Sequence, residues 1–406
     1  MKILLVSGYY HPETVGAGIW VRQLALDLKA MGHDVSVLTG FPSYPFGQIF
    51  PAYRRRWFLK ETVDGIPVTR TFTYATRSRK FWPRVASFGS FCASAMLCGW
   101  MARPKADVVY AVLPPLPLGI SALMLAKIAR ARLVVNLQDI YPDIAVATGF
   151  LQNRLAIQFF ERMEKWIYRH AQRIVVISAG FERNLLAKGV PQDKIAVVPN
   201  WADPDSIVPG PRDNSFRQQH GIKDEFVVLY SGGISHNSNL EPVLHAAERL
   251  SGERFLFVIA GEGVHKEALC REVEAKKLTN VRFLPFQPLD RYPEVLAAAD
   301  VTLVTLSRSA TFASVPSKIY KQMAAARPVV AIADPRSELA RLVEESGCGL
   351  AVKPDDSAGL VEALRRLANR GEETSRMGDA GREYLINFCS RRKCVAAIEQ
   401  AFMGAR

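Results

Sequence analysis

The chain has 406 residues, more than one ordinary core holds, so two domains are expected. Its 49% hydrophobic and 22% charged residues exclude a disordered chain. Its six cysteines, none in a CxxC or a zinc-like Cys/His spacing, exclude a disulfide framework and read as reduced structural thiols of a cytoplasmic protein. The net charge of +13 lies wholly in residues 1–190, where 24 Lys and Arg face 11 Asp and Glu; the remainder balances at 28 and 28.

The opening MKILLVSGYYHPE holds an apolar run of about five residues, short of the roughly 7–15 of a secretory h-region, and it reads as a buried strand. Gly16 and Gly18 follow, before the helical stretch GIWVRQLALDLKAMG. Glycines there let backbone N–H groups approach a phosphate at a helix start. The spacing is not GxGxxG, and a tight structural turn explains it equally well. His11 and Glu13 on the same loop are candidate site residues. DVSVLTG is the second strand.

Residues 52–105 hold 11 basic and 2 acidic side chains, among them Arg54, Arg55, Arg56, Arg70, Arg77, Arg79, Lys80 and Arg84. A polyanion or an anionic membrane surface is the partner this charge implies. No nucleic-acid-binding signature appears. Arg84 and Arg103 bracket an uncharged run of 18 residues, the lower edge of a membrane span. Its Ser and Gly residues weaken that reading, which leaves a core helix or a helix dipped into the membrane interface.

DVVYAVL, RLVVNLQ and RIVVIS are further strands, apolar on both faces as in covered parallel sheets. Helical stretches PLGISALMLAKIARA and RLAIQFFERMEKWIYRHA separate them, so the first half is built of βαβ units. Asp139 and Asp143 in LQDIYPD stand at a strand end. Asp139 is a candidate site carboxylate; the alternative is a capping role at the helix after Pro142. VVPNWADPDSIVPGPRDN reads as a linker. Its DPD resembles a metal-binding DxD, but a linker position argues against that role.

The second half repeats the alternation, with strands FVVLYSG, FLFVIAG, VRFLPF, VTLVTL and PVVAIA. Helices LEPVLHAAERL, HKEALCREVEAKK, YPEVLAAA and SKIYKQMAAA lie between them, and SRRKCVAAIEQAFMG closes the chain. Gly232 and Gly233, then Gly261, Glu262 and Gly263, then PSKIYK all follow predicted strands, on the edge where open α/β sheets bind ligands.

The ordered set KILLVSGYYHPETVGAG, GHDVSVLTG, KIAVVPNWAD, IAGEGVHKEAL, AAADVTLVTL and MAAARPVVA resembles the family-4 type of GT-B glycosyltransferases along nearly the whole chain. LQDIYPDIAVATG and VPSKIY look most like transferases of exopolysaccharide, colanic acid or O-antigen assembly. The resemblance implies two Rossmann-like α/β domains facing across a cleft: 1–205 for the acceptor, 206–385 for the nucleotide sugar, and a helix, 386–406, packing back. It implies a retaining transfer with no metal or other cofactor. The pyrophosphate would lie against Gly16, Gly18, Gly232, Gly233 and the Ser317 and Lys318 amides; base and ribose would lie near Gly261, Glu262 and Phe286.

Several family positions are altered. Two glutamates common in the family are replaced by Ala313 and Lys321, and an Arg and a Lys by Gly233 and Ser238. Gln138 stands before Asp139 where a His is common. A leaving diphosphate still needs neutralising, and Lys318 is the expected ligand, with Arg308 and His236 as further candidates. Pro316 leads that loop, and Lys321 lies one turn beyond Lys318. Lys321 cannot accept from ribose hydroxyls, so Glu262 would hold the ribose or the donor would carry deoxyribose.

The expected function is transfer of a sugar, UDP-linked or similar, to a lipid-linked bacterial glycan at the inner face of the cytoplasmic membrane. Catalysis would fall to Asp139, Lys318 and His11. Arg54, Arg55, Arg56, Arg77, Arg79, Lys80 and Arg84, with Glu13 and Asp143, would serve acceptor and membrane, and other assembly enzymes are candidate partners. A non-catalytic, membrane- or partner-binding relative and a UDP-sugar 2-epimerase are the alternatives.

Overall fold

The computed structural model describes residues 1–13, 17–44, 47–78, 81–102, 105–235, 238–308, 311 and 315–404. The chain divides into two compact units, Met1–Val198 with Val395–Arg406, and Pro199–Cys394. The expected boundary at 205 lies inside the second unit, and the expected closing segment 386–406 is shared between the two.

In the first unit, β1 (Lys2–Ser7), β2 (Asp34–Gly40), β3 (Phe58–Val63), β4 (Ile66–Thr71), β5 (Val108–Leu113), β6 (Arg132–Leu137), β7 (Arg173–Val176) and β8 (Ile195–Val197) form one sheet. The order is β3-β4-β2-β1-β5-β6-β7-β8. Every pair is parallel except β3–β4. β1, β5 and β6 are rich in Val, Ile and Leu and buried on both sides, as a helix-covered parallel sheet requires. The helices are α1 (Ala17–Ala30), α2 (Phe81–Ala102), α3 (Leu118–Ala129), α4 (Asp143–Ala147), α5 (Arg154–His170) and α6 (Ala179–Ala187).

The β3–β4 hairpin and β8 are additions to the sequence-based expectation. The hairpin turns at Asp64 and Gly65, both at positive φ (53° and 71°). This is the Asp-Gly arrangement whose twist suits a two-residue hairpin.

The second unit holds β9 (Phe226–Ser231), β10 (Phe255–Ala260), β11 (Val281–Leu284), β12 (Val301–Thr305), β13 (Val329–Ile332) and β14 (Gly349–Val352). Their order is β11-β10-β9-β12-β13-β14, all parallel. Alternate strand residues feed two cores. Val227, Leu229, Leu256 and Val258 enter one, and Val228, Tyr230, Phe257 and Ile259 the other. The helices are α7 (Ser215–Gln219), α8 (Glu241–Arg249), α9 (Lys266–Ala275), α10 (Tyr292–Ala297), α11 (Lys318–Ala324), α12 (Glu338–Ser346), α13 (Ser357–Asn369) and α14 (Gly371–Tyr384).

The final helix, α15 (Arg391–Met403), brings the chain end back to the first unit. There Phe402 is buried edge-on to Tyr110 at 5.3 Å, and Arg132 donates to the Met403 carbonyl at 2.7 Å. In each unit the strand order reverses beside the first strand, between β1 and β5 and between β9 and β12. The loops leaving those strands therefore open at a topological switch point, the ligand-binding position of such sheets.

Candidate functional site

Helix α11 brings two lysines to the switch point of the second unit. Lys318 Nζ sits 3.7 Å from the centre of the Tyr230 ring. Lys321, one turn on, has its Nζ 5.3 Å from the Tyr292 ring. Both rings are held in place. Tyr230 Oη donates to the Gly233 carbonyl at 2.7 Å, and Tyr292 Oη shares a hydrogen bond with Ser231 Oγ at 2.5 Å. An aromatic face steadies an ammonium without neutralising it. Among the described residues no carboxylate pairs with either lysine. Burial pushes the Lys321 ammonium below the ordinary lysine range, with no anion offsetting it. Two uncompensated cations on one helical turn suit a dianionic or trianionic ligand.

The glycine loops shape the floor beneath them. Gly232 has φ of 145°, and a Cβ there would come 3.3 Å from Lys318 Nζ. A Cβ on Gly261 would strike the Gly232 carbonyl at 1.9 Å, and one on Gly263 the Ile234 carbonyl at 2.0 Å. The two loops are stitched by Ile234 N–H donating to the Glu262 carbonyl at 2.9 Å and Gly232 N–H to the Ala260 carbonyl at 3.0 Å. Gly261 and Gly263 thus have a packing task. Gly233 faces open space.

The other expected donor ligands are placed as follows. Pro316 accepts from Ile319 N–H at 3.3 Å, and Ser317 is exposed at the start of α11. Phe286 is half-buried in the loop after β11. Glu262 is bound to Lys266 at 2.7 Å, and Arg308 to Asp355 at 2.7 Å, both pairs open to water. Gly16, His236, Ala313, Arg79 and Lys80 lie outside the described residues.

In the first unit the structure gives several candidates an internal task. Glu13 is buried, and its carboxylate accepts from the Ser43, Tyr44 and Tyr10 amides at 2.9, 2.8 and 3.2 Å. It ties the loop after β1 to the loop after β2, and burial pushes its carboxyl pKa up against those bonds. Gly18 lets α1 approach the Glu13 carbonyl, which a Cβ would meet at 2.8 Å. Glu13 is thus held as a clamp between the two loops.

Asp143 is likewise occupied. It accepts from Asn184 at 2.9 Å and Lys188 at 2.8 Å, and Lys188 also binds Glu164, which is 1% exposed, at 2.7 Å. Asp143 is the first residue of α4, whose N-cap position, Pro142, makes no side-chain cap bond.

Asp139 and His11 stay half-exposed on the loops after β6 and β1. Burial, then Arg22, lowers the His11 pKa, which favours the neutral ring. Arg70, counted in the basic run, is fully buried. It donates to Glu61 and to the Gly40 and His11 carbonyls. Arg54, Arg55, Arg56, Arg77 and Arg84 are exposed, Arg84 lying 5.8 Å over the Phe88 ring. Asp203 of DPD accepts from the Asp205 and Ser206 amides and Ser206 Oγ and pairs with Arg391 at 3.2 Å. That is the bonding of a turn.

Two family models match this chain in tandem. Residues 15–201 match the glycosyl transferase 4-like domain, and residues 212–384 match glycosyl transferases group 1. The chain belongs to the GT-B glycosyltransferases. The transferase is 29% identical over 374 residues to WcaI of Escherichia coli (strain K12), which bears the name of a colanic acid biosynthesis glycosyl transferase; 90% of this chain and 92% of that protein are covered. Its fold matches sucrose-phosphate synthase from Thermosynechococcus elongatus at a TM-score of 0.76 and 18% identity, over 99% and 98% of the two chains. It also matches Anabaena HepE, solved with UDP and glucose, at a TM-score of 0.75 and 18% identity over the whole of both chains.

Tyr230 and Tyr292, which hold the transferase's two lysines, were not among the residues expected from sequence. Both read there as ordinary apolar positions, one in a strand and one at a helix start. Only Lys318 and Lys321, one turn apart, carried a signal.

Proposed function

We propose that this glycosyltransferase moves a sugar from a nucleotide diphosphate donor to a lipid-linked bacterial glycan, with retention of configuration and without a metal ion. The carrying observation is the Lys318–Lys321 pair, each lysine over a tyrosine face and neither matched by a carboxylate among the described residues. In the reaction an acceptor hydroxyl oxygen bonds to the anomeric carbon as the bond from that carbon to the diphosphate oxygen breaks; charge accumulates on the departing phosphate, which takes up the hydroxyl proton. Preorganised cations stabilise that charge more than the ground state. Lys318 and Lys321 would supply it, with the open Gly232–Gly233 backbone against the phosphates. HepE, with its bound UDP and glucose, supports a nucleotide-sugar site in this fold, and WcaI's name supports a polysaccharide acceptor. Asp139, half-exposed at the end of β6, would orient the acceptor.

The test is a thermal-shift series with UDP, GDP, dTDP and ADP on the wild type and Lys318→Ala. A ligand at about 100 times its dissociation constant adds roughly 2.7 kcal/mol of stability. A base-selective shift lost in the variant is expected. EDTA should leave transfer unchanged. No shift with any nucleotide would overturn the reading in favour of a non-catalytic relative.

A further inference from the structure

The helical layer on one face of the first unit's sheet carries a surface that sugar transfer does not use. α3 packs on β5 and β6 and lies between α2 and α5. Gly99 of α2 admits Leu125 of α3 so closely that a Cβ would meet its Cδ2 at 1.9 Å. Gly119 of α3 does the same for Ile167 of α5, at 2.8 Å. Ser121 Oγ donates to the Cys92 carbonyl at 2.9 Å. Phe91, Ala95 and Cys98 of α2, and Glu164, Ile167 and Tyr168 of α5, point into the unit and are buried. The opposite faces of the helices therefore share one outer surface.

That surface is not the polar one a water-facing helix layer normally shows. On α2, Trp82, Ala86, Gly89, Ala93, Leu97 and Trp100 recur at helical spacing and are all exposed, Trp82 by 75% and Trp100 by 59%. No charged residue interrupts them. α3 adds exposed Met124 and Lys127. On α5, Leu155, Phe159, Arg162 and Trp166 form a second exposed stripe, with Leu155 78% exposed. The flanking charges are Arg84, Arg154, Lys165 and Arg169, with Glu161 the one exposed acid on these helices.

We infer that the outer face of α2, α3 and α5 docks the transferase onto an anionic lipid bilayer, with α2 and α5 lying in the plane of the interface. Trp82 and Trp100 stand about 27 Å apart along α2, an anchor near each end at headgroup level. Among the described residues no helix is long and apolar enough to cross a membrane, so α2 lies on the bilayer. The near-single sign of the charge selects anionic lipid over a protein surface of mixed charge. The inference deepens the lipid-linked acceptor reading, on which its meaning for catalysis rests. It also assigns docking to three helix faces, of which the basic run 52–105 supplies only α2.

The experiment uses the full chain without nucleotide or acceptor. Vesicles are phosphatidylcholine alone or mixed with phosphatidylglycerol, with bromine-labelled acyl chains to quench tryptophan. Binding should need phosphatidylglycerol and weaken with salt. Quenching should vanish in Trp82→Phe/Trp100→Phe/Trp166→Phe and persist in Trp57→Phe; these swaps keep an aromatic ring and the fold. Arg154→Gln/Arg162→Gln/Lys165→Gln, all at exposed positions, should weaken binding by on the order of 100-fold. No binding, equal salt-insensitive binding to neutral vesicles, or unchanged quenching in the triple tryptophan variant would overturn the inference. So would self-association through this face without vesicle binding. Turnover is not read, so failure here leaves the nucleotide-sugar reading standing, and vesicle binding without any nucleotide binding sinks that reading alone.

Discussion

Lys321 keeps a charge where burial resists it. Its folded pKa lies below that of a free lysine, so the folded state holds its proton less tightly than the unfolded chain. At pH below the lowered value the full cost of the buried ammonium stands against folding. It is lifted as pH rises through the lowered pKa. A bound diphosphate reverses the balance by favouring the charged form. Lys321→Met should therefore raise ligand-free stability at neutral pH while weakening UDP by about 1.5–3 kcal/mol, the worth of a charge-assisted hydrogen bond. Wild-type UDP affinity should fall on the alkaline side before an ordinary lysine, near pH 10.4, would titrate, and this fall should be absent in Lys321→Met. Calorimetric titration across pH checks both. Equal affinity of the two proteins at neutral pH would remove Lys321 from the site.

The residue scale also shows how far charge can mislead. Glu13, Arg70 and Asp143 are indistinguishable in sequence from their exposed neighbours. Each proves to be an internal fastener whose partners come from other elements.

At the scale of elements, Lys188 joins three helices of the first unit. It reaches Asp143 of α4 and the buried Glu164 of α5 from the end of α6. Removing one partner of a buried pair leaves the other charge uncompensated, at about 3 kcal/mol or more. Lys188→Met should lose about that much at neutral pH. Burial already raises the Glu164 pKa, and Lys188 is the main group opposing that rise. In the variant the folded pKa rises further, so the loss should fade as pH falls through it and Glu164 becomes neutral. Denaturant melts at neutral and acidic pH test this; a pH-independent loss would mean that packing, not charge, carries the effect.

The elements were legible unequally. Strands such as KILLVS and FLFVIA stand out because both faces are apolar. The β3–β4 hairpin was not among the expected elements, because its strands FLKETV and IPVTRT carry polar residues that merge with a basic stretch. β3 is an edge strand with alternating exposure, so it has no continuous apolar run to announce it. α2 was open between a core helix and an interface helix. Its two faces are both apolar, and composition alone does not say which one meets a sheet.

At the scale of the whole molecule, the last helix belongs to a unit far away in sequence. Val395, Ile398 and Phe402 are buried in the first unit, after a passage of nearly two hundred residues through the second. Phe402→Ala should cost about 3–5 kcal/mol, the usual range for emptying a buried aromatic site. Nucleotide binding by the second unit should survive. Loss of both together would show that the units do not unfold separately.

The alternation of strand and helix, the two α/β domains, the glycine turns and the family were all legible along the chain. Each of these is written in local periodicity or in short ordered motifs, which survive without knowledge of neighbours. The tertiary structure decided which charges are fasteners and which are open to a ligand. It put Tyr230 beneath Lys318, left one face of α2 exposed, and brought α15 home. Those outcomes depend on strand order, which places side chains from distant segments together, and no local pattern encodes that order.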